Sequence, residues 1–270
     1  MTETGSTRRR ISQPKVSDLI ADILRERILS GEFDELLPSQ DSLLAEFSIS
    51  KPSLREALRM LESEGLITVR RGNLGGSFVH RPEPRHAAYM LALVLQSRSV
   101  PIADVAAALK QLEGVCAGLC AAREDRASEV IPQLARCNLD AAEHIGDTLK
   151  YVTDTARFHE LLVSLSGSET MKLVVGALET VWLSHVREWA ESNTREGTFP
   201  DLDYRRRGLS VHEELTALIA AGEVDRVSRL AEDHFDPSRF YSGDVDVSRT
   251  VQASDVRAPL HDSRNPGRRA

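Results

Sequence analysis

The chain has 270 residues, 41% of them hydrophobic and 28% charged, with a net charge of −7; that length leaves room for two domains with separate cores. No apolar run approaches the roughly 18 residues of a membrane span, no apolar h-region marks a secretory signal, and Cys116, Cys120 and Cys137, without a ladder of spacings, read as reduced cytoplasmic thiols. Residues 1–82 hold twelve basic and twelve acidic residues, leaving 22 of the 34 basic and 29 of the 41 acidic ones for the rest, and so acidic a body excludes indiscriminate coating of a polyanion.

Residues 1–12, including Arg8-Arg9-Arg10, are expected to be a disordered basic arm. A helix follows from about Val16 to Ser30, with Leu19, Ile20, Ile23, Leu24 and Ile28 as its apolar face and Gly31 closing it. Pro38 suits the first position of the next helix, where its missing N–H would go unpaired anyway. Leu43, Leu44 and Phe47 give that helix an apolar face, and Ser48 and Ile49 lead into a tight turn. Ser50 is a good N-cap for a helix over Lys51–Ser63, on which Leu54, Ala57, Leu58 and Leu61 form one buried stripe. The other side presents Pro52, Glu56, Arg59 and Ser63, with Lys51 and Arg55 on its flank, and Gly65 suits a left-handed helix end.

Two β-prone runs, Leu66–Val69 and Ser77–Val79, flank the glycine-rich stretch Arg70-Arg71-Gly72-Asn73-Leu74-Gly75-Gly76. The order of elements over residues 13–80 predicts a winged helix-turn-helix, which places one helix in the DNA major groove. Each arginine taken singly reads as an ordinary solvated charge. Taken together with the Ser50 cap and the glycine-rich wing, the expected DNA contacts are Ser50, Lys51, Ser53, Arg55, Arg59, Arg70, Arg71 and Gly72. Ser50, Ser53 and the helix N-terminus suit phosphate, Arg55 a phosphate or base edge, and the wing an adjacent groove.

Arg81-Pro82-Glu83-Pro84 reads as a linker, stiffened by its prolines. Residues 85–241 are legible as helix throughout, near 85–97, 102–123, 128–145, 148–166, 169–190, 205–221 and 223–236, which predicts an all-α bundle. The fold class is thus mostly α. Residues 242–270 lose apolar periodicity and are expected to be a disordered tail.

Three of the eight histidines carry a pattern. His212 lies ten residues before Gly222 and His234 twelve after it. If Gly222 turns a helical hairpin, both return to about the same height. His159, beside Phe158 on an apolar helix, supplies a third nitrogen, and three imidazoles with an open position suit one divalent ion such as Zn²⁺ or Ni²⁺. A lone helical histidine is by default a hydrogen-bonded structural residue; the matched spacing argues for more. Arg157, His185 and Arg187 are candidate effector-binding residues, an acidic ligand being the natural partner of the arginines.

Two families are resembled. Leu37-Pro38-Ser39, Ile49-Ser50-Lys51, Leu54-Arg55-Glu56-Ala57-Leu58 and the stretch Leu61 to Leu66 resemble the GntR family of bacterial transcription regulators, with Lys51 and Asp41 standing where the family often has arginine. Leu109-Lys110-Gln111-Leu112-Glu113, Phe158-His159 and the block His212–His234 resemble the all-helical FCD effector domain of the FadR-type branch, with Lys110 in place of a usual arginine. The second resemblance implies a bound metal with an aspartate one turn before the Phe-His histidine. Thr155 occupies that position here, and Asp154 lies about 140° round the helix from His159.

The resulting expectation is a cytoplasmic, nucleoid-associated regulator and not an enzyme. It binds a palindromic double-stranded operator as a homodimer, has no membrane partner, and answers to a small organic-acid or fatty-acid-type effector. Two alternatives are a metal-dependent enzyme built on the three histidines and a winged-helix module for protein or RNA. The first lacks an HExxH motif or a nucleophile motif.

Overall fold

The computed structural model describes residues 15–70, 72, 75–82, 84–234 and 248–256. Arg71, the arm at residues 1–12 and the expected tail at 242–247 and 257–270 lie outside the described residues. The chain divides into two units between Glu83 and Pro84.

The first unit runs α1 (Val16–Leu29), α2 (Gln40–Phe47), α3 (Lys51–Ser63), β1 (Ile67–Arg70) and β2 (Gly76–Val79). Its core joins Ile20, Ala21, Leu24 and Ile28 of α1 to Leu43, to Leu54, Ala57, Leu58 and Leu61 of α3, and to Ile67. Two expectations change here. Leu19 and Ile23 are exposed rather than buried, because the stripe that faces α3 is narrower and uses Ala21. Ser39 caps α2, accepting the Ser42 N–H at 3.1 Å, so Pro38 precedes the cap instead of opening the helix.

Ser48 ends α2 in a left-handed conformation (φ 51°), and Gly65 does the same after α3 (φ 75°). The strands pair antiparallel with Thr68 opposite Phe78 and Arg70 opposite Gly76. The segment before α2 lies along the other edge of β2, where Leu37 N–H donates to Ser77 C=O at 2.9 Å and Val79 N–H to Glu35 C=O at 2.8 Å.

The second unit runs α4 (Pro84–Ser97), α5 (Ile102–Ala122), α6 (Arg126–Glu129), α7 (Ile131–Glu143), α8 (Thr148–Ser164), α9 (Glu169–Glu196), α10 (Leu202–Ala221) and α11 (Val224–His234). The single helix expected over 128–145 is two, α6 and α7, broken at Val130 with Pro132 in the first turn of the second. The polar stretch from Glu191 does not stop α9. It continues to Glu196 because a solvated helix end needs no apolar stripe, and Gly197 (φ 72°) closes it.

α5 runs through the middle of this unit. Its 21 residues are long and apolar enough to cross a membrane by length and composition, contrary to the sequence reading, but 56% of the apolar window is buried inside the protein. Gly114 and Gly118 on α5 let α11 approach closely, since a Cβ at Gly114 would meet Glu232 Cγ at 2.6 Å and Ser228 C=O at 3.0 Å. That approach sets the height of His234.

Part of the expected tail is structured. Val251, Ala253 and Val256 are buried with Ala88, Val105 and Val181 of α4, α5 and α9. Val251 N–H donates to Val100 C=O and Ile102 N–H to Arg249 C=O, both at 2.9 Å, while Arg249 pairs with Glu188 at 2.7 Å. The segment Ser248–Val256 is too short to show periodicity, so only its packing reveals it.

Candidate nucleic-acid interface and histidine-lined cavity

The N-terminus of α3 is dressed with hydroxyls. Ser50 accepts the Ser53 N–H at 3.4 Å, and the two hydroxyls lie 2.9 Å apart, beside backbone donors that suit an anion. Lys51, Arg55 and Arg59 are exposed along the helix, and Arg59 lies 3.7 Å from Glu56. Two other arginines of this unit are occupied by carboxylates. Arg25 grips Glu64 through two bonds of 2.7 and 2.6 Å, and Arg27 pairs with Glu32 and Glu46. Among the described residues, Lys51 and Arg55 make no ion pair, so their charge stays available. In the wing, the Arg70 guanidinium rests on the Phe78 ring at 4.3 Å, and Gly72 takes φ 113°, a conformation that favours glycine.

In the second unit α8, α10 and α11 bring His159, His212 and His234 together, with candidate ligand nitrogens all within 4.8 Å of one another. His212 Nε2 faces His234 Nε2 at 2.8 Å, and His212 stacks on Phe158 with centroids 4.1 Å apart. Burial, and then the neighbouring histidines, hold His212 well below the usual imidazole range. Burial and His159 push His234 down to about 3. Both are therefore neutral, the form that binds metals.

His159 Nδ1 lies 2.6 Å from Glu113 Oε2, a buried carboxylate on α5. That pairing orients the ring and leaves Nε2 as the atom His159 can give an ion. Two nitrogens 2.8 Å apart, each about 2.05 Å from a metal, subtend about 90° at it; a tetrahedral ion would hold them at about 3.3 Å. The His212–His234 pair thus has the spacing of neighbouring ligands on a six-coordinate ion and would open slightly for a tetrahedral one, with the His159 nitrogen within 4.8 Å as the third donor.

The carboxylate ligand that the resemblance implied is not at either expected position. Asp154 pairs with His144 Nδ1 at 2.7 Å, and the Thr155 hydroxyl donates to Tyr151 C=O at 2.9 Å. Cys116 and Cys120 form no metal pair either: burial pushes both thiols up to about 12.

The histidines sit in the wall of a cavity of about 450 Å³, within the range of small-molecule sites. Apolar walls come from Trp182, Leu183, Val186, Phe199, Val211 and Leu230. The three expected effector residues are elsewhere. Arg157 and Arg187 are exposed, and His185 faces the Ser248–Val256 segment beside Arg249 and Asp255. The polar residues that do line the cavity include Glu113, Glu179 and Arg205, which sequence reasoning missed. Burial, and then the charges of Glu113 and Glu160, push the Glu179 carboxyl well above the usual range, so it is protonated. A signal existed for the two acids: each is a lone carboxylate in an otherwise apolar helical run.

Comparisons with known proteins agree with this architecture. The profile described as "Bacterial regulatory proteins, gntR family" matches residues 17–79, and the FCD domain profile matches residues 104–237. The transcriptional regulator Mce2R of Mycobacterium tuberculosis is 25% identical over 230 residues, 84% of this chain and 89% of that protein. The transcriptional repressor NanR of Klebsiella aerogenes is 39% identical over 67 residues, which span 24% of this chain and only 26% of the repressor. The solved structure of a Streptococcus agalactiae GntR protein shares the fold with a TM-score of 0.61 at 20% identity, covering 83% of this chain and 98% of its own. The chain belongs to the GntR family of bacterial transcription regulators, in the branch that carries an FCD domain, and is a DNA-binding regulator rather than an enzyme.

Proposed function

We propose that this regulator docks α3 in the major groove of each half of a palindromic operator as a homodimer, and that a small organic acid in the helical cavity controls that docking. Ser50, Ser53 and the start of α3 hold phosphate, Arg55 reaches a phosphate or base edge, Lys51 and Arg59 add charge, and Arg70, Arg71 and Gly72 follow an adjacent groove. The protein works in the cytoplasm.

His159, His212 and His234 hold one divalent ion, Zn²⁺ or Ni²⁺, with Glu113 orienting His159 from behind. Such an ion would supply a Lewis-acid anchor for a carboxylate at that end of the cavity. The single observation that carries the reading is a three-imidazole cluster, two of its rings kept neutral by burial, in the wall of a largely apolar cavity of ligand size. Occupancy shifts the population of DNA-competent arrangements, because only a ligand with differential affinity for two states can regulate.

The test is elemental mass spectrometry of the untagged protein beside a gel shift on a selected operator. Near one metal per chain, lost in His212→Ala, is the expected result. An operator complex that ignores both metal and every organic acid tried would remove the effector reading while leaving the DNA reading intact.

A further inference from the structure

The cavity has a charged end that the histidines do not account for. Arg205 lines it and is 8% exposed. Its Nε donates to Pro200 C=O at 3.1 Å, Nη1 to Ile145 C=O at 2.9 Å and Nη2 to the Thr148 hydroxyl at 2.9 Å. Those bonds use three of its five N–H groups. They fix the guanidinium and do not neutralise it: among the described residues no carboxylate lies within ion-pair distance of Arg205. A buried cation without a counter-charge is costly. Phe199 flanks the group at 4.8 Å and Tyr151 at 6.0 Å, so bulk water does not supply the compensation cheaply.

The two ends of the cavity are a fixed distance apart. Tyr151 OH donates to Arg205 C=O at 2.9 Å, and Phe158 stacks on His212, so α8 and α10 face each other across the interior and run in the same direction. Tyr151 to Phe158 and Arg205 to His212 are each seven residues, a backbone rise of about 10 Å. Because the Arg205 guanidinium reaches back to Pro200 and Thr148, the two recognition groups are at least that far apart, leaving about 10 Å for a ligand once its hydrogen bonds are counted. Thr155, Ala156, Val186 and Val211 line the wall between.

We propose that Arg205 receives one anionic group of the effector while the histidine end holds another, so that the ligand is a dianion about 10 Å long. This rests on the cavity being the effector site and deepens it: the cavity measures length as well as charge. Arg157 and Arg187, on the outer surface, take no part.

The test is calorimetry on the full-length, zinc-loaded protein with succinate, adipate, suberate and sebacate, beside octanoate and monomethyl suberate. Affinity should pass through an optimum at adipate or suberate. Octanoate and the monomethyl ester should bind about tenfold or more weakly than suberate, the loss expected for one charged hydrogen bond. Arg205→Met should erase the advantage of suberate over octanoate, and Arg205→Lys should keep part of it. If Arg205→Met does not fold, the ester comparison in the unaltered protein still decides.

Octanoate or the ester binding as tightly as suberate, or affinity that rises with chain length without an optimum, overturns the proposal. In that case acid binding that is lost in Ala156→Trp, which fills the middle of the cavity, leaves the effector reading standing. Absence of binding by every acid overturns both.

Discussion

The two units of this protein dispose of their polar groups in opposite ways. Among the described residues of the first unit, only Ser17 and Ser77 are buried and polar, and the charged residues of α3 stand in solvent. The second unit buries Glu113, Glu179, Arg205, His212 and His234, all five of them ionisable groups on the cavity wall. The contrast separates two designs for recognition. A surface that reads a polyanion can leave its donors hydrated until the partner arrives, so it adds little to folding. A pocket that selects a small ligand must be organised beforehand, so its polar groups are part of the fold and their loss costs stability as well as affinity.

The sharpest break of that comparison is Arg55→Ala. Specific operator binding should fall by about a hundredfold or more, while unfolding free energy stays within about 0.5 kcal/mol, as for an exposed side chain without a partner. A gel shift and a urea titration on the same preparation check both halves. Intact specific binding would sink the docking of α3.

The next effect belongs to the second unit alone. Val251→Asp places a charge among Val105, Val181 and Ala253, where an unpaired buried polar group costs about 2–4 kcal/mol. Helical content should melt at a lower temperature with the wing unit unaffected. An unchanged melting curve would mean that Ser248–Val256 does not pack in solution.

How far each unit was legible follows from the range of its interactions. In the first, a cap, a buried stripe and a glycine exit lie within a few residues of one another, and Ser50, Leu54, Leu61 and Gly65 took up their expected places. Of the errors there, the place of Pro38 was a shift of two residues at a helix start, while Leu19 and Ile23 came from the width of a stripe, which only the neighbour decides. In the second unit the histidine trio was legible because Gly222 measures both arms of a hairpin. Arg205 and Glu179 were not, because a helix packed on several sides offers no sequence cue to which face looks into a void. Ser248–Val256 was illegible for a related reason: its partners Val100, Ile102 and Glu188 lie far away in sequence.

A pH series on metal-free protein sharpens the contrast further. His212 and His234 are held neutral in the fold, so their contribution is complete above the unfolded value of 6.5 and declines as pH falls toward the folded one. Each costs about 1.4 kcal/mol per pH unit in that window, because the unfolded chain takes up protons that the folded chain refuses. Glu179 opposes them. Held protonated, it favours the folded state below its unfolded value of 4.5 and loses that contribution as pH rises above it. With two imidazoles against one carboxyl, denaturant midpoints of the helical unit should drop between pH 6.5 and 5, by about 2 kcal/mol in free energy. A flat profile would place the imidazoles in water.

The smallest effect is the most diagnostic of the first unit's design. Ser50 both caps α3 and lies where a phosphate is expected. Ser50→Ala removes the cap and should cost about 1 kcal/mol. Ser50→Asp keeps a capping oxygen and adds a charge that favours the helix N-terminus, so folding stability should return to the unaltered level. The same charge repels a phosphate, so operator affinity should fall further than in Ser50→Ala. If the aspartate variant instead recovered both properties, Ser50 would serve only as a cap, and the anion site at the start of α3 would have to be assigned to Ser53 and the backbone.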